Sequence, residues 1–169
     1  MGWWVPASAP APIEVRAVLQ FHAYRRVLPH WRLEGATYFV TWRLISGASL
    51  LVPEERSIVT RTLRFREGDT HRLLGFVVMD DHVHVPVEPS DGSPLEKLVH
   101  AWKSYTTRCF REQTGRKRAW QREYFDRIIR DEDELREKMQ YVLDNPWKRW
   151  PGLETYTWVW VTGLDAVEG

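Results

Sequence analysis

Strand-like runs alternate with three helix-like periods, and turn residues separate them at short intervals; together these predict an α+β domain. The order is β-α-β-β-α-β-α on a mostly antiparallel sheet. Tyr38-Phe-Val-Thr-Trp-Arg-Leu44 is rich in β-branched and aromatic residues and reads as the first strand. Pro53 at a first helical position, followed by Glu54 and Glu55, opens a helix through Phe65. Its Ile58, Val59, Leu63 and Phe65 offer an apolar side. Leu73–Met79 and Val83–Val87 read as successive strands that turn around Asp80-Asp81. Ser93-Pro94-Leu95-Glu96 combines a capping box with a first-turn proline, and Leu95, Leu98, Val99, Trp102 and Cys109 keep helical spacing. After a basic break over 115–120, Tyr124–Ile129 reads as a strand. Asp131 and Glu134 repeat the capping pattern for a last helix through Leu143, closed by Pro146. The first six elements match a ferredoxin-like antiparallel sheet with helices, and the last helix is an addition.

The chain has 169 residues, which fits one domain with short extensions: 1–30 N-terminal, 31–153 the domain, and 154–169 an aromatic tail. Tyr156–Val161 reads either as a short strand or as part of that tail. A hydrophobic fraction of 43% is enough for a core, and no stretch is long and apolar enough to span a bilayer. Cys109 is the single cysteine, so an intrachain disulfide and a cysteine zinc cluster are excluded and a cytoplasmic location is expected. Net charge is only +1, but residues 97–130 hold ten Lys or Arg against three acids, an excess of seven that can meet phosphates. Ten tryptophans in so short a chain leave some indoles partly exposed for stacking or packing.

His82 and His84 stand two apart in an apolar run, where a strand points both side chains to one face. Neutral imidazoles at that spacing suit a shared metal, although structural histidines share the pattern. Tyr141 and Asn145 are one helical turn apart, presenting a phenol and a neutral oxygen donor on one face. Lys138 precedes Tyr141 by one turn and is a candidate to attract a phosphate or favour a phenolate. A tyrosine covering the core and an asparagine capping the helix would account for the same two residues.

Five blocks, in order and in mutual spacing, resemble the IS200-like, single-tyrosine HUH transposases, especially the REP-associated tyrosine transposases. They are Tyr38–Leu44, Val78-Met-Asp-Asp-His-Val-His-Val85, Ala101-Trp-Lys-Ser-Tyr-Thr106, Trp120-Gln-Arg-Glu-Tyr-Phe-Asp-Arg127 and Tyr141-Val-Leu-Asp-Asn-Pro146. The resemblance covers residues 35–153, with Asp80-Asp81 where the family usually carries Pro-Asn. It implies His82, His84 and Asn145 as ligands of Mg²⁺ or Mn²⁺, and Tyr141 as the nucleophile on the added helix. The implied activity is that of a metal-dependent DNA strand-transferase and site-specific single-strand endonuclease acting through a 5′-phosphotyrosine. The implied partner is a single-stranded DNA hairpin, REP-like hairpins being one candidate, with no membrane involved and the protein a monomer or a homodimer. Lys97, Lys103, Arg108, Arg111, Arg116, Lys117, Arg118, Arg122, Arg127 and Lys138 are then candidate DNA contacts, and Trp102, Tyr105 and Trp120 candidate stacking groups. The competing expectation is a catalytically silent hairpin-binding or regulatory protein, which forms no covalent species with DNA.

Overall fold

The computed structural model describes Ile13–Glu14 and residues 35–163. The rest of the expected N-terminal extension, and the chain beyond 163, lie outside the described residues. Strand β1 (Ile13–Glu14) is followed by β2 (Thr37–Arg43), α1 (Pro53–Arg64), β3 (His71–Leu73), β4 (Gly75–Val78), β5 (His82–Pro89), α2 (Leu95–Gln113), β6 (Phe125–Ile129) and α3 (Glu132–Arg149). Two short strands, β7 (Thr155–Tyr156) and β8 (Val159–Val161), complete it. From β2 to α3 this is the expected order, except that β3 and β4 stand where a single strand, Leu73–Met79, was expected.

The main sheet runs β6-β2-β5-β4-β8 with β3 beside β5, and all its pairings are antiparallel. β1 pairs separately with β7. Of the two readings of Tyr156–Val161, the strand is the one formed: β8 takes the sheet edge next to β4. Side chains alternate across the sheet. Val40, Trp42, Val83, Val85, Val87, Phe76 and Val78 face α1 and α2 in one core. Leu74, Val77, Met79 and Ile129 face the opposite side, where Leu135, Met139, Val142 and Leu143 of α3 cover them. The sheet therefore separates α3 from α1 and α2. Among the described residues no helix is long and apolar enough to cross a membrane.

Register carries across β5 through a bulge. Leu73 pairs with Val87 and Val77 with His84, so four steps on the β3–β4 side face three on β5. The extra residue lies by Leu74 and Gly75, opposite Pro86, whose carbonyl accepts the Leu74 N–H at 3.0 Å. A Cβ on Gly75 would stand 2.9 Å from the Trp160 carbonyl oxygen and 2.9 Å from Val161 Cγ1, so only glycine lets β8 approach.

Three local expectations are corrected. Ser93 does not cap α2: Pro94 holds the cap position without a side-chain cap bond, and the Ser93 N–H is tied in a turn to Ser90 O at 3.0 Å. Pro146 does not end α3, which runs on to Arg149. The proline removes a single ladder donor, and the last turn is held by other bonds. The Trp147 indole donates to Leu153 O at 2.7 Å, Trp150 N–H donates to Pro146 O at 2.8 Å, and the Trp150 ring stacks 5.6 Å from Tyr156. Phe65 sits at the extended C-cap of α1, 60% exposed, off the apolar side. The Asp131 cap forms as expected, accepting the Glu134 N–H at 2.8 Å.

A buried ion pair ties the loop before α1 to the chain after α2. Glu55, 1% exposed, accepts from Arg116 Nε at 2.8 Å, from Thr114 Oγ1 at 2.6 Å and from the Val52 N–H at 3.1 Å. Arg116 also donates to the carbonyls of Ser49 and Leu50. Burial pushes the Glu55 carboxyl up, but its hydrogen bonds to Arg116, Thr114 and Val52 outweigh this and hold it below the ordinary range. A carboxyl lowered on folding stabilises the protein above its unfolded pKa, and that contribution is lost as pH falls through the lowered value. Arg116→Ala strands a buried charge, so thermal and urea unfolding at neutral pH should show a loss of about 3 kcal/mol or more. The exposed Lys117→Ala should change stability by less than about 0.5 kcal/mol.

Candidate active site

β5 sends its valines into the α1–α2 core and its histidines to the α3 side. His84 pairs with Thr41 and with Val77, and His82 pairs with Arg43, so Thr41 and Arg43 share the histidine face. The two imidazoles lie 4.6 Å apart, centre to centre. Phe39 stacks on His84 at 5.3 Å, and the Tyr141 ring meets His84 edge-on at 5.2 Å. The tyrosine expected from the last helix and the histidine pair expected from the strand are thus in one place.

Each histidine has one nitrogen held. His82 Nδ1 lies 2.5 Å from Asp81 Oδ1, and His84 Nδ1 lies 2.7 Å from Thr41 Oγ1. His84 is 4% exposed, and its Nε2 is buried without a hydrogen-bond partner. The tautomer that donates from Nδ1 to Thr41 leaves the Nε2 lone pair free. His71 provides an internal contrast, since it is equally buried but meets Thr70 Oγ1 at 2.8 Å and Leu63 O at 2.8 Å. His71 is a satisfied structural histidine; His84 is not. Burial, with the nearby charges of His82 and Arg43, pushes the His84 pKa down to about 3, so the ring is neutral at physiological pH. Asp81 would be raised by burial, but the hydrogen bond and charge of His82, with Arg149 and Arg43, hold it below the ordinary carboxylate range.

This donor set fits a divalent metal. Two imidazoles with free Nε2 positions, each oriented through Nδ1, are a common ligand arrangement. Asn145, 9% exposed and one turn beyond Tyr141, is the third candidate. Among the described residues no group of three or more His, Cys, Asp or Glu is placed to hold a metal. Asp80 and Asp81 form the turn; Asp80 accepts from Arg149 at 3.1 Å and Asp81 orients His82.

The other expected site residues divide by face. Lys138 reaches toward the site, its Nζ 5.6 Å from the Phe39 ring centre. Arg127, opposite Phe39 in the sheet, pairs with Glu134 at 2.7 Å. Lys97, Lys103, Arg108, Arg111, Trp102 and Tyr105 belong to α2, on the other side of the sheet from Tyr141. Lys103 is tied to Arg122 O at 2.8 Å. Arg116 is committed to Glu55, while Lys117, Arg118 and Arg122 are exposed in the connection to β6. Trp102 and Trp120 are 4% and 9% exposed and pack against Trp42 in the core, the first stacked and the second edge-on, leaving only Tyr105 of the three stacking candidates open to solvent.

Sequence reasoning missed four residues here. Thr41, Phe39 and Arg43 become partners only once β2 is registered on β5. Lys148, whose Nζ lies 5.2 Å from the Tyr141 ring centre, is seven residues beyond the tyrosine, on the same helix face. Its signal was present but lay past Pro146, where the helix was expected to stop.

A histidine pair on a sheet face beside a helix-borne tyrosine defines a candidate metal-and-tyrosine centre on an α+β sheet. The family model described as Transposase IS200 like matches residues 51–145, which include both histidines, Tyr141 and Asn145; the chain belongs to that family. The structure of a REP-associated tyrosine transposase bound to a REP hairpin is similar in fold, with TM-score 0.59 and 20% identity over 73% of each chain. A crystal structure from Deinococcus radiodurans, described as a candidate transposase, aligns with TM-score 0.47 and 18% identity over 68% of this chain and 92% of that one. No curated protein matches the chain significantly.

A histidine whose pKa is lowered on folding stabilises the protein above its unfolded value, and this stability is lost as pH falls from there toward the folded value. For His84 that window runs from about 6.5 down to about 3. In urea unfolding between pH 7 and 5, His84→Asn should have a flatter loss of stability than wild type. Equal slopes would mean that His84 is not held neutral.

Proposed function

We propose that this protein is a DNA strand-transferase and site-specific single-strand endonuclease, with Tyr141 as its nucleophile. The observation that carries the reading is the unpartnered, buried Nε2 of His84, beside a tyrosine that is itself 40% exposed. A core histidine would be satisfied and a core tyrosine covered. Here the imidazole lacks a partner and the phenol is open to a substrate.

Tyr141 Oη attacks the scissile phosphorus. The bond from phosphorus to the 3′ oxygen breaks, the phosphate stays on the tyrosine as a 5′-phosphotyrosine, and the released 3′ oxygen takes up a proton while the phenol loses one. Attack by a 3′-OH on that phosphotyrosine reverses the sequence and joins a strand. His82, His84 and Asn145 would hold Mg²⁺ or Mn²⁺, which supplies charge stabilisation at a nonbridging phosphate oxygen when bound. Asp81 and Thr41 keep the two imidazoles oriented. Lys138 and Lys148 place positive charge on either side of the tyrosine, where a phosphate must arrive. A folded single strand, such as a hairpin with a single-stranded flank, suits this site because an intact duplex would hinder access to the phosphate. The similar REP-associated structure was solved with a REP hairpin, which supports that substrate class.

Wild type and Tyr141→Phe, incubated with labelled hairpin-flanked single-stranded DNA and Mn²⁺ or EDTA, test the assignment. A denaturation-resistant protein–DNA adduct should form only with wild type and metal, and should be absent from His82→Ala and His84→Ala. An adduct in Tyr141→Phe would refute the nucleophile, and tight binding without any adduct would favour a silent hairpin-binding protein. Lys148→Ala should keep the fold and slow adduct formation roughly 10- to 100-fold.

A further inference from the structure

We propose that Phe125 is a base-stacking platform that holds a nucleotide flanking the scissile phosphate. This rests on the function proposed above and assigns a residue outside the expected site. Phe125 is 70% exposed, the most exposed large apolar side chain among the described residues. Its place in the sheet gives the exposure a meaning. Thr41 pairs with Phe125 on one side and with His84 on the other, so Phe125, Thr41 and His84 form one row across three strands. Ile129, on the same face of β6 by alternation, is buried in the α3-side core, which puts Phe125 and Arg127 on the histidine face. Two interstrand spacings, about 9.6 Å, separate Phe125 from His84 along that row. That is within reach of a nucleotide next to a phosphate held at the histidines.

Charge selects this path. The groove of about 460 Å³ along the outer side of α3 includes Tyr141 and Lys148, but its remaining charged lining is Asp133, Glu137 and Asp144 against Arg136 alone, so beyond the tyrosine it is unfavourable to a polyanion. From Tyr141 toward β6 a bound DNA strand instead meets Lys138 above Phe39, Arg127 opposite Phe39, and Arg43 two residues from Thr41; Glu134 pairs with Arg127 but also with Arg130, so cations stay in excess along this path. An exposed aromatic ring at the end of a cationic path suits a nucleobase, because every base offers a flat face and stacking tolerates sequence. On a bare edge strand the same ring would otherwise be a liability.

The test compares an oligothymidylate of about 20 nucleotides with an abasic strand of equal length, by fluorescence anisotropy in EDTA with the full chain. Phe125→Ala and Phe125→Leu should each weaken oligothymidylate binding about tenfold and leave abasic binding unchanged, while Phe125→Trp should bind as wild type. The leucine keeps apolar bulk without an aromatic face, so it separates stacking from folding. Unchanged binding, equal weakening on both strands, or a loss that follows a change of oligomeric state in size-exclusion chromatography overturns the role. The hairpin adduct assay distinguishes the two proposals. An adduct without base-dependent binding at Phe125 overturns the platform and keeps the chemistry; base-dependent binding without an adduct supports Phe125 and overturns the chemistry.

Discussion

The alternation of β5 constrains everything else in the molecule. Val83, Val85 and Val87 are fully buried against α1 and α2, and His82 and His84 must therefore emerge on the other face. A slip of one residue would put imidazoles into the apolar core and valines beside Tyr141. The neighbours enforce the register: six consecutive β2 residues pair with β5, and the bulge at Leu74-Gly75 absorbs the extra residue on the other side. Gly75 and Pro86 meet at that bulge, so a proline inside a central strand is accommodated where a ladder bond is already displaced.

Segregation by face follows from that register. α1 and α2 complete the large core, the Glu55–Arg116 pair closes its end, and α3 is left to cover the histidine side only in part. The incomplete cover leaves Tyr141 open beside a buried, neutral His84. Burying an imidazole without a partner for Nε2 costs stability, and such a cost is tolerated where the atom serves another purpose. Cations gather around the opening, with Lys138 and Lys148 on α3 and Arg43 on β2.

The sequence disclosed what depends on periodicity and hid what depends on register. The strand pattern over Tyr38–Leu44, the helical spacing from Leu95 to Cys109 and the Asp131 cap are local signals, and each became the expected element. The His82–His84 and Tyr141–Asn145 spacings are local signals, but what joined the two pairs into one expected site was the resemblance to the IS200-like family. Thr41 and Phe125 were not readable, since nothing near them in the chain indicates that they share a row with His84. Local rules also misled where tertiary contacts dominate. Trp147 and Trp150 carry α3 past Pro146, hiding Lys148 from a reading that stopped there, and Ser93 is drawn into a turn with Ser90 instead of capping α2. Charge counting failed for Arg116, which is one of the basic cluster by sequence but belongs to a buried carboxylate in the fold.

A crystal structure of the protein grown with Mn²⁺ and read by anomalous scattering tests the central claim most directly. One ion should lie within coordination distance of Nε2 of both His82 and His84 and of the Asn145 side-chain oxygen, beside the Tyr141 phenol. An ion bound elsewhere, or histidine nitrogens satisfied by the protein at a saturating concentration of metal, would contradict a joint metal-and-tyrosine centre.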